Sequence, residues 1–507
     1  MAPMLRVSRS LPMVLLATGM LTGCGGGEQS SETESNTGTL PTATAGQTTD
    51  TNAGSTESDS ESGNEAASET ETDATTVGPT ASDSDTTPTT ESTTDPTDPT
   101  DTTDTTTDSD SDTTTMGDTT DSDTDSDSDT DVSTTGCMDT GSGGDDIDFS
   151  YLWIANTTQG SISKINTISL IEEARYYSDA NPGGASPSRT SVSLDGRYTV
   201  VANRGTYTVS NYASTEDDCI DKNNDGVITT SQNKDDLVAF ADEECRMWTT
   251  AVNPTPAGYV GGPRGVTWDP GVFNEGTCSY DAPKVWVGWH TGGTAYMGRL
   301  DGTTGIQEAT VQIDNWPASH APYGAALDPD GDVWFTGVFQ DHLWKIDTET
   351  LELSHWQSGT GHRPYGMTVD FNGIPWFGEH CGAVSYFDPQ AETFHSIPGT
   401  NSCHRGITVD KNYQVWVASN SGDAGCGLVQ IDGNTKTVVK NHTFDQCGTP
   451  VGVSIDLEGK LWIVDYNGWA WRMDPETEVK DLVTVTGVHY TYSDMTGGAL
   501  KNVFIPE

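Results

Sequence analysis

The sequence predicts an all-β fold, a seven-bladed β-propeller over residues 148–507 preceded by a disordered linker. Three observations carry that prediction. First, a phrase recurs: Ala321-Pro322-Tyr323-Gly324, Asp328-Pro329-Asp330-Gly331, Val333-Trp334-Phe335 and Lys345-Ile346-Asp347 are answered by Arg363-Pro364-Tyr365-Gly366, Asp370-Phe371-Asn372-Gly373, Pro375-Trp376-Phe377 and Tyr386-Phe387-Asp388. Second, Tyr323 and Tyr365 stand 42 residues apart, as do Trp334 and Trp376, and a period of about 40–50 residues of short strands belongs to propeller blades. Third, the apolar runs are short, separated by Asp/Gly turns, and show no helical period.

In chain order, the first element is an export signal over residues 1–23. Arg6 and Arg9 precede an apolar run, Leu11 to Met20, too short to span a bilayer. It ends in Leu21-Thr22-Gly23-Cys24, which resembles the lipobox of bacterial lipoproteins. That resemblance implies cleavage before Cys24, lipidation of its thiol and a place in the bacterial cell envelope, at the outer membrane or cell surface. The competing reading is an ordinary signal peptide with an incidental Cys.

Residues 24–147 read as a linker. Residues 25–149 contain no Lys or Arg, 32 Asp or Glu and long Ser/Thr runs. Such a segment buries too little apolar surface to offset its ordering entropy and is expected to be disordered. A flexible chain of this length spans on the order of 60 Å, more when like charges repel. The whole chain has a formal charge of −53, which repels phosphate backbones and argues against nucleic acid as a partner.

The domain opens on Leu152–Asn156 and Ile162–Asn166, which read as second and third strands lacking a first. Six complete blades follow, with second strands at Tyr198–Asn203, Val285–Trp289, Val333–Gly337, Pro375–Glu379, Val415–Ser419 and Leu461–Asp465. Ser493–Phe504 reads as the missing first strand, so that a seventh blade is built from both ends and the ring closes as a monomer without exposed edges. Six blades with loose ends is the alternative.

An insertion at about 211–248 carries Asp221-Lys222-Asn223-Asn224-Asp225-Gly226-Val227, the first part of an EF-hand-type loop. Asp221, Asn223, Asp225 and the Val227 carbonyl are candidate ligands for a structural calcium ion. The twelfth position is Gln232 rather than the usual Glu, leaving Asp235, Asp236, Glu243 or Glu244 to complete the site; an ion-free acidic loop is the alternative. The eight cysteines beyond Cys24 favour disulfides in an exported chain. Repeat phase pairs Cys381 with Cys403 and Cys426 with Cys447 as one staple used twice. Cys219 and Cys245 flank the insertion, and Cys137 with Cys278 is the residual pair. No C-x-x-C spacing supports a Cys₄ metal site.

Loops leading into first strands and those leaving second strands are expected on one face. They offer Asn156, Asn203, Asp465, His320, Tyr323, Arg363 and Tyr365 as ligand-binding residues, and Glu379, His362 and His404 as an acid–base group. The bland alternative is polar loop residues bonding one another. Here the chain resembles virginiamycin B lyase and its relatives, the streptogramin lyases, through the G-x-x-x-D-x-x-G-x-x-W-F repeat. More distantly it resembles gluconolactonase-like and NHL propellers. The resemblance implies a lyase that uses Mg²⁺, two His and two Glu to open a cyclic depsipeptide. Read onto this chain, the His positions hold Tyr323 and Tyr365, the first Glu position holds Arg363, and only Glu379 matches. Arg363 inverts the charge that a Mg²⁺ site needs, and a phenol with a pKa near 10 is a poor base at neutral pH.

Two functions therefore compete: a membrane-tethered propeller that binds a small molecule, glycan or protein at its mouth, and a lyase-like or lactonase-like enzyme acting on a cyclic ester. Magnesium enters only with the second.

Overall fold

The structure, a computed structural model, describes residues 150–504 except 275, 277, 278, 360, 423 and 424. The export signal, Cys24, the linker, and Cys137 and Cys278 lie outside the described residues. Seven radial sheets succeed one another along the chain. The first has three strands, Tyr151–Asn156, Ser161–Asn166 and Glu172–Tyr177, and the other six have four each. A small hairpin, Val272–Asn274 with Ser279–Asp281, interrupts the third sheet between its first and second strands.

The repeated Asp and Trp explain one another. In blades four to seven the indole Nε1 donates at 2.8 Å to the carboxylate of the Asp six residues earlier, in the pairs Trp334–Asp328, Trp376–Asp370, Trp416–Asp410 and Trp462–Asp456. The other carboxylate oxygen accepts turn N–H groups, as Asp410 does from Asn412 and Gln414. One side chain thus closes the turn and anchors the blade's central Trp, satisfying donors that would otherwise be buried unpaired.

The innermost strands meet at the repeated glycines. A Cβ at Gly366 would lie 2.0 Å from the Arg405 carbonyl oxygen, so only glycine permits this approach between neighbouring blades. The ring has two departures, at Arg189 and Tyr492, which bridge each other in parallel.

Closure is made from both chain ends, though not by the strand expected at Ser493–Phe504. The residues from Val488 to Met495 lie beside the first blade: Thr157 N donates to Val488 O at 2.9 Å, Asn156 bridges His489, and Trp153 N donates to Met495 O at 2.9 Å. Residues Gly498–Phe504 form a helix instead. Half-buried Asp494 accepts from the backbone N–H groups of Gly497 and Leu500, both at 2.9 Å. Those bonds turn the chain into the helix, and Leu500 and Val503 then plug the far end of the channel beside Val266, Leu327 and Val369.

The insertion runs from residue 214 to 245, between the strands Thr208–Ala213 and Arg246–Ala251. Disulfides join Cys219 to Cys245, Cys381 to Cys403 and Cys426 to Cys447. Cys426 begins a third strand, whereas Cys381 sits ahead of the strand Ser385–Asp388. Three disulfides fit an oxidising, extracytoplasmic compartment. Among the described residues no helix is long and apolar enough to cross a membrane.

Candidate functional site

Strand register puts the start of each first strand opposite the end of each second strand. Pro322 pairs with Gly337, Pro364 with Glu379, His404 with Ser419 and Pro450 with Asp465. These loops therefore open on one face, the mouth. Each pairing is followed by a bulge, which inserts Tyr323 before Gly324 and Tyr365 before Gly366. A bulge re-aims a side chain that plain alternation would direct elsewhere, and both phenols turn into the channel.

Four tyrosines meet there. The Tyr323 hydroxyl lies 3.2 Å from that of Tyr365, the Tyr492 hydroxyl donates to Tyr365 at 3.2 Å, and the Tyr490 hydroxyl bonds both Tyr323 and Tyr365. Guanidiniums surround them. Arg189 lies 4.0 Å from the Tyr492 ring and 4.5 Å from the Tyr323 ring, Arg204 4.7 Å from Tyr490, Arg264 5.4 Å from Tyr323 and Arg405 5.0 Å from Tyr365. These are cation–π distances. Burial pushes the Tyr323 phenol up, but Arg189 and Arg264 outweigh it, and its pKa falls below the ordinary phenol value. Tyr365, Tyr490 and Tyr492 are pushed well up, by burial first and by the neighbouring phenols next.

Toward the rim, His380 lies 5.6 Å from the Tyr365 ring and 4.8 Å from Phe339, and exposed Arg363 lies 5.1 Å from Phe339. Burial, then Arg405 and Arg363, lowers His380 to about 4. His320 packs edge-on to Tyr323 at 6.1 Å, with Nδ1 2.8 Å from Ser319 Oγ. Tyr323, Tyr365, Arg363 and His320 thus share the mouth.

Glu379, His362 and His404 also converge, but within the blades. His362 Nδ1 lies 2.9 Å from Glu379 Oε1, which also accepts from Ser385 Oγ at 2.5 Å, while Oε2 accepts the Arg363 N–H. His404 Nδ1 lies 3.2 Å from the Glu379 carbonyl oxygen. His404 is fully buried, its Nε2 has no hydrogen-bond partner, and burial lowers its pKa to about 4. His362 packs 5.3 Å from Phe394, a residue of the outermost strand Thr393–Ser396. Glu379 acts as a brace in this arrangement, with both oxygens held by donors of its own blade.

The equivalent positions behave similarly. Asn156 Nδ2 donates to Ser161 and Ser163, Asn203 Nδ2 to the Ser178 carbonyl and Thr208, and Asp465 accepts from Gly448 and Asn467. All three are buried and brace loops; the Oδ1 atoms of Asn156 and Asn203 have no hydrogen-bond partner.

In the insertion, Asp221 accepts from Asp225 N and Gly226 N, Asn223 Oδ1 from Asp225 N, and Asp225 Oδ1 from the N–H of exposed Val227. Of the four acidic residues proposed to complete the loop, Glu244 reaches it, accepting from Lys222, Asn223 and Thr229. Glu243 instead holds Thr230, Ser231 and Cys245. Among the described residues no three His, Cys, Asp or Glu converge to hold a metal; this loop offers two carboxylates, an amide and a carbonyl.

Sequence reasoning missed Arg189, Arg204, Tyr490 and Tyr492 as residues of the mouth. Two signals were present. The residue before the repeated Gly reads Arg264, Tyr323, Tyr365, Arg405 across four adjacent blades, and Arg189 itself replaces a ring glycine.

The fold and this mouth define a seven-bladed propeller stapled by disulfides. No family model and no curated protein matches the chain. Solved structures similar to it include a streptogramin B lyase, at 18% identity over 62% of this chain and 86% of that one with a TM-score of 0.44. A catalytically inactive virginiamycin B lyase from Staphylococcus aureus with quinupristin gives 16%, 60%, 85% and 0.43. Apo AztD from Citrobacter koseri gives 12%, 68%, 97% and 0.44. At such identities and scores these likenesses carry no functional argument.

Proposed function

We propose that this is an extracytoplasmic lipoprotein, tethered to the membrane through Cys24, that binds a small molecule, glycan or protein at the propeller mouth. The observation that carries the reading is the mouth itself: buried phenols and guanidiniums at the centre, with Arg363, Phe339, His380 and His320 at the rim. A concave site mixing aromatic surface with a few polar groups is the usual form of a ligand site. A thermal-shift screen of the full chain against glycans, peptides and cyclic esters tests it. Ligands that stabilise the chain should lose their effect in Arg363→Ala and keep it in Lys440→Ala on the outer surface. Stabilisation indifferent to Arg363 would overturn the reading.

A second reading rests on the 2.9 Å contact between His362 and Glu379. It makes the protein a lyase-like or lactonase-like enzyme for a cyclic ester, with that pair and His404 as the acid–base group. Occupied Glu379 oxygens and a buried, neutral His404 favour binding over this chemistry. We also propose a structural calcium ion in the insertion, held by Asp221, Asn223, Asp225 and the Val227 carbonyl, with Glu244 as the added carboxylate.

A further inference from the structure

The mouth's charge is unbalanced. Arg189, Arg204 and Arg264 are 1%, 2% and 0% exposed, and none of them, nor Arg405, forms an ion pair among the described residues. All three guanidinium nitrogens of Arg264 lack a hydrogen-bond partner, as do Arg189 Nη2 and Arg405 Nε. An uncompensated buried charge costs more than a cation–π contact returns. Buried guanidiniums need an acceptor, and their paired N–H groups match the planar fork of an oxyanion. Arg204 is already fixed, donating from Nε and Nη2 to Ser186 at 3.2 and 2.9 Å. Arg204 and Arg264 lie 4.8 and 5.3 Å from one ring, that of Tyr259, which is 41% exposed and stands between them and solvent.

We propose that Arg204 and Arg264, under the cover of Tyr259 and beside Arg189, bind one oxyanion group, a carboxylate or a phosphate, of the ligand that enters the mouth. This names the ligand's chemistry and rests on the reading of the mouth as a binding site. A neutral ligand found there would leave that reading standing while a failed anion titration removes this one. The chain as a whole carries a formal charge of −53, so the recognition is local: a cationic centre inside an anionic protein selects a small anion over polyanions, which the chain's charge repels.

The test is titration of the full chain with inorganic phosphate and, separately, with succinate, each matched in ionic strength by sodium chloride, reading the thermal midpoint. One or both anions should raise it in a saturable way beyond chloride, and the stronger arm identifies phosphate or carboxylate as the group. Arg264→Gln and Arg204→Gln should each weaken that effect at least tenfold; either variant suffices if the other does not fold. Equal stabilisation of wild type and variants overturns the proposal. So does the absence of any effect beyond chloride in both arms. In that case a phenolate absorbance near neutral pH, lost in Tyr323→Phe, would identify an internal counter-charge instead.

Discussion

His404→Asn tests how the inner end of the mouth is built. In the native chain the imidazole is fully buried, with Nδ1 on the Glu379 carbonyl oxygen and Nε2 unpartnered, and burial holds its pKa at about 4. An unfolded His titrates near 6.5. The folded value is depressed, so the contribution to stability is present above the unfolded value and is lost as pH falls through the folded one. Between pH 7 and pH 5 the unfolded chain takes up this proton and the folded chain hardly does, a loss of about 2 kcal/mol for one such group. Asn keeps a donor for the carbonyl and cannot titrate. Other groups titrate in both proteins, so the informative quantity is the stability gap between them. Urea unfolding followed by Trp fluorescence at pH 7 and pH 5 measures it. The gap should narrow by about 2 kcal/mol at the lower pH. A gap unchanged within about 0.5 kcal/mol would refute a neutral, dry His404.

Three further outcomes are expected, the second from the proposed tether and the third from the proposed ion. Asp410→Ala removes the acceptor of Trp416 and of two turn N–H groups; it should cost about 3 kcal/mol, with about 2 kcal/mol of coupling to Trp416→Phe in a double-mutant cycle. Cys24→Ala should move the protein from the detergent phase to the aqueous phase on partitioning, and intact-mass measurement should show the lipid adduct gone. Chelation with EDTA should lower the thermal midpoint of the wild type and leave Asp225→Ala unmoved, whereas a wild type indifferent to EDTA means that the loop binds no calcium.

Much of the fold was legible because the repeat fixes phase. Once Trp334 and Trp376 are aligned, each blade's Asp, Gly and strand order follow, and the same phase brings Cys381 to Cys403 and Cys426 to Cys447. Closure was legible only in part. The apolar residues of Ser493–Phe504 are consistent with a strand, but Asp494 captures the N–H groups of Gly497 and Leu500 and starts a helix there. The site was less legible still. Asn156, Asn203 and Asp465 occupy the positions that strand alternation assigns to the mouth, yet their side chains are taken up by adjoining strands and loops. A one-residue bulge shifts which side chain faces the channel, and neither the bulge nor the approach of Tyr490 and Tyr492 from the chain's other end is written in local pattern. Arg189 was visible as an exception to the glycine rule, and exceptions of that kind gather at sites.

On the proposed function the mouth binds a ligand rather than reacting with it. The most direct measurement is incubation of the full chain with a streptogramin B and a lactone panel, with and without Mg²⁺ or Ca²⁺, following the ester bond. No turnover above the uncatalysed rate is expected under any of these conditions. Metal-dependent turnover that disappears in Glu379→Gln would contradict it.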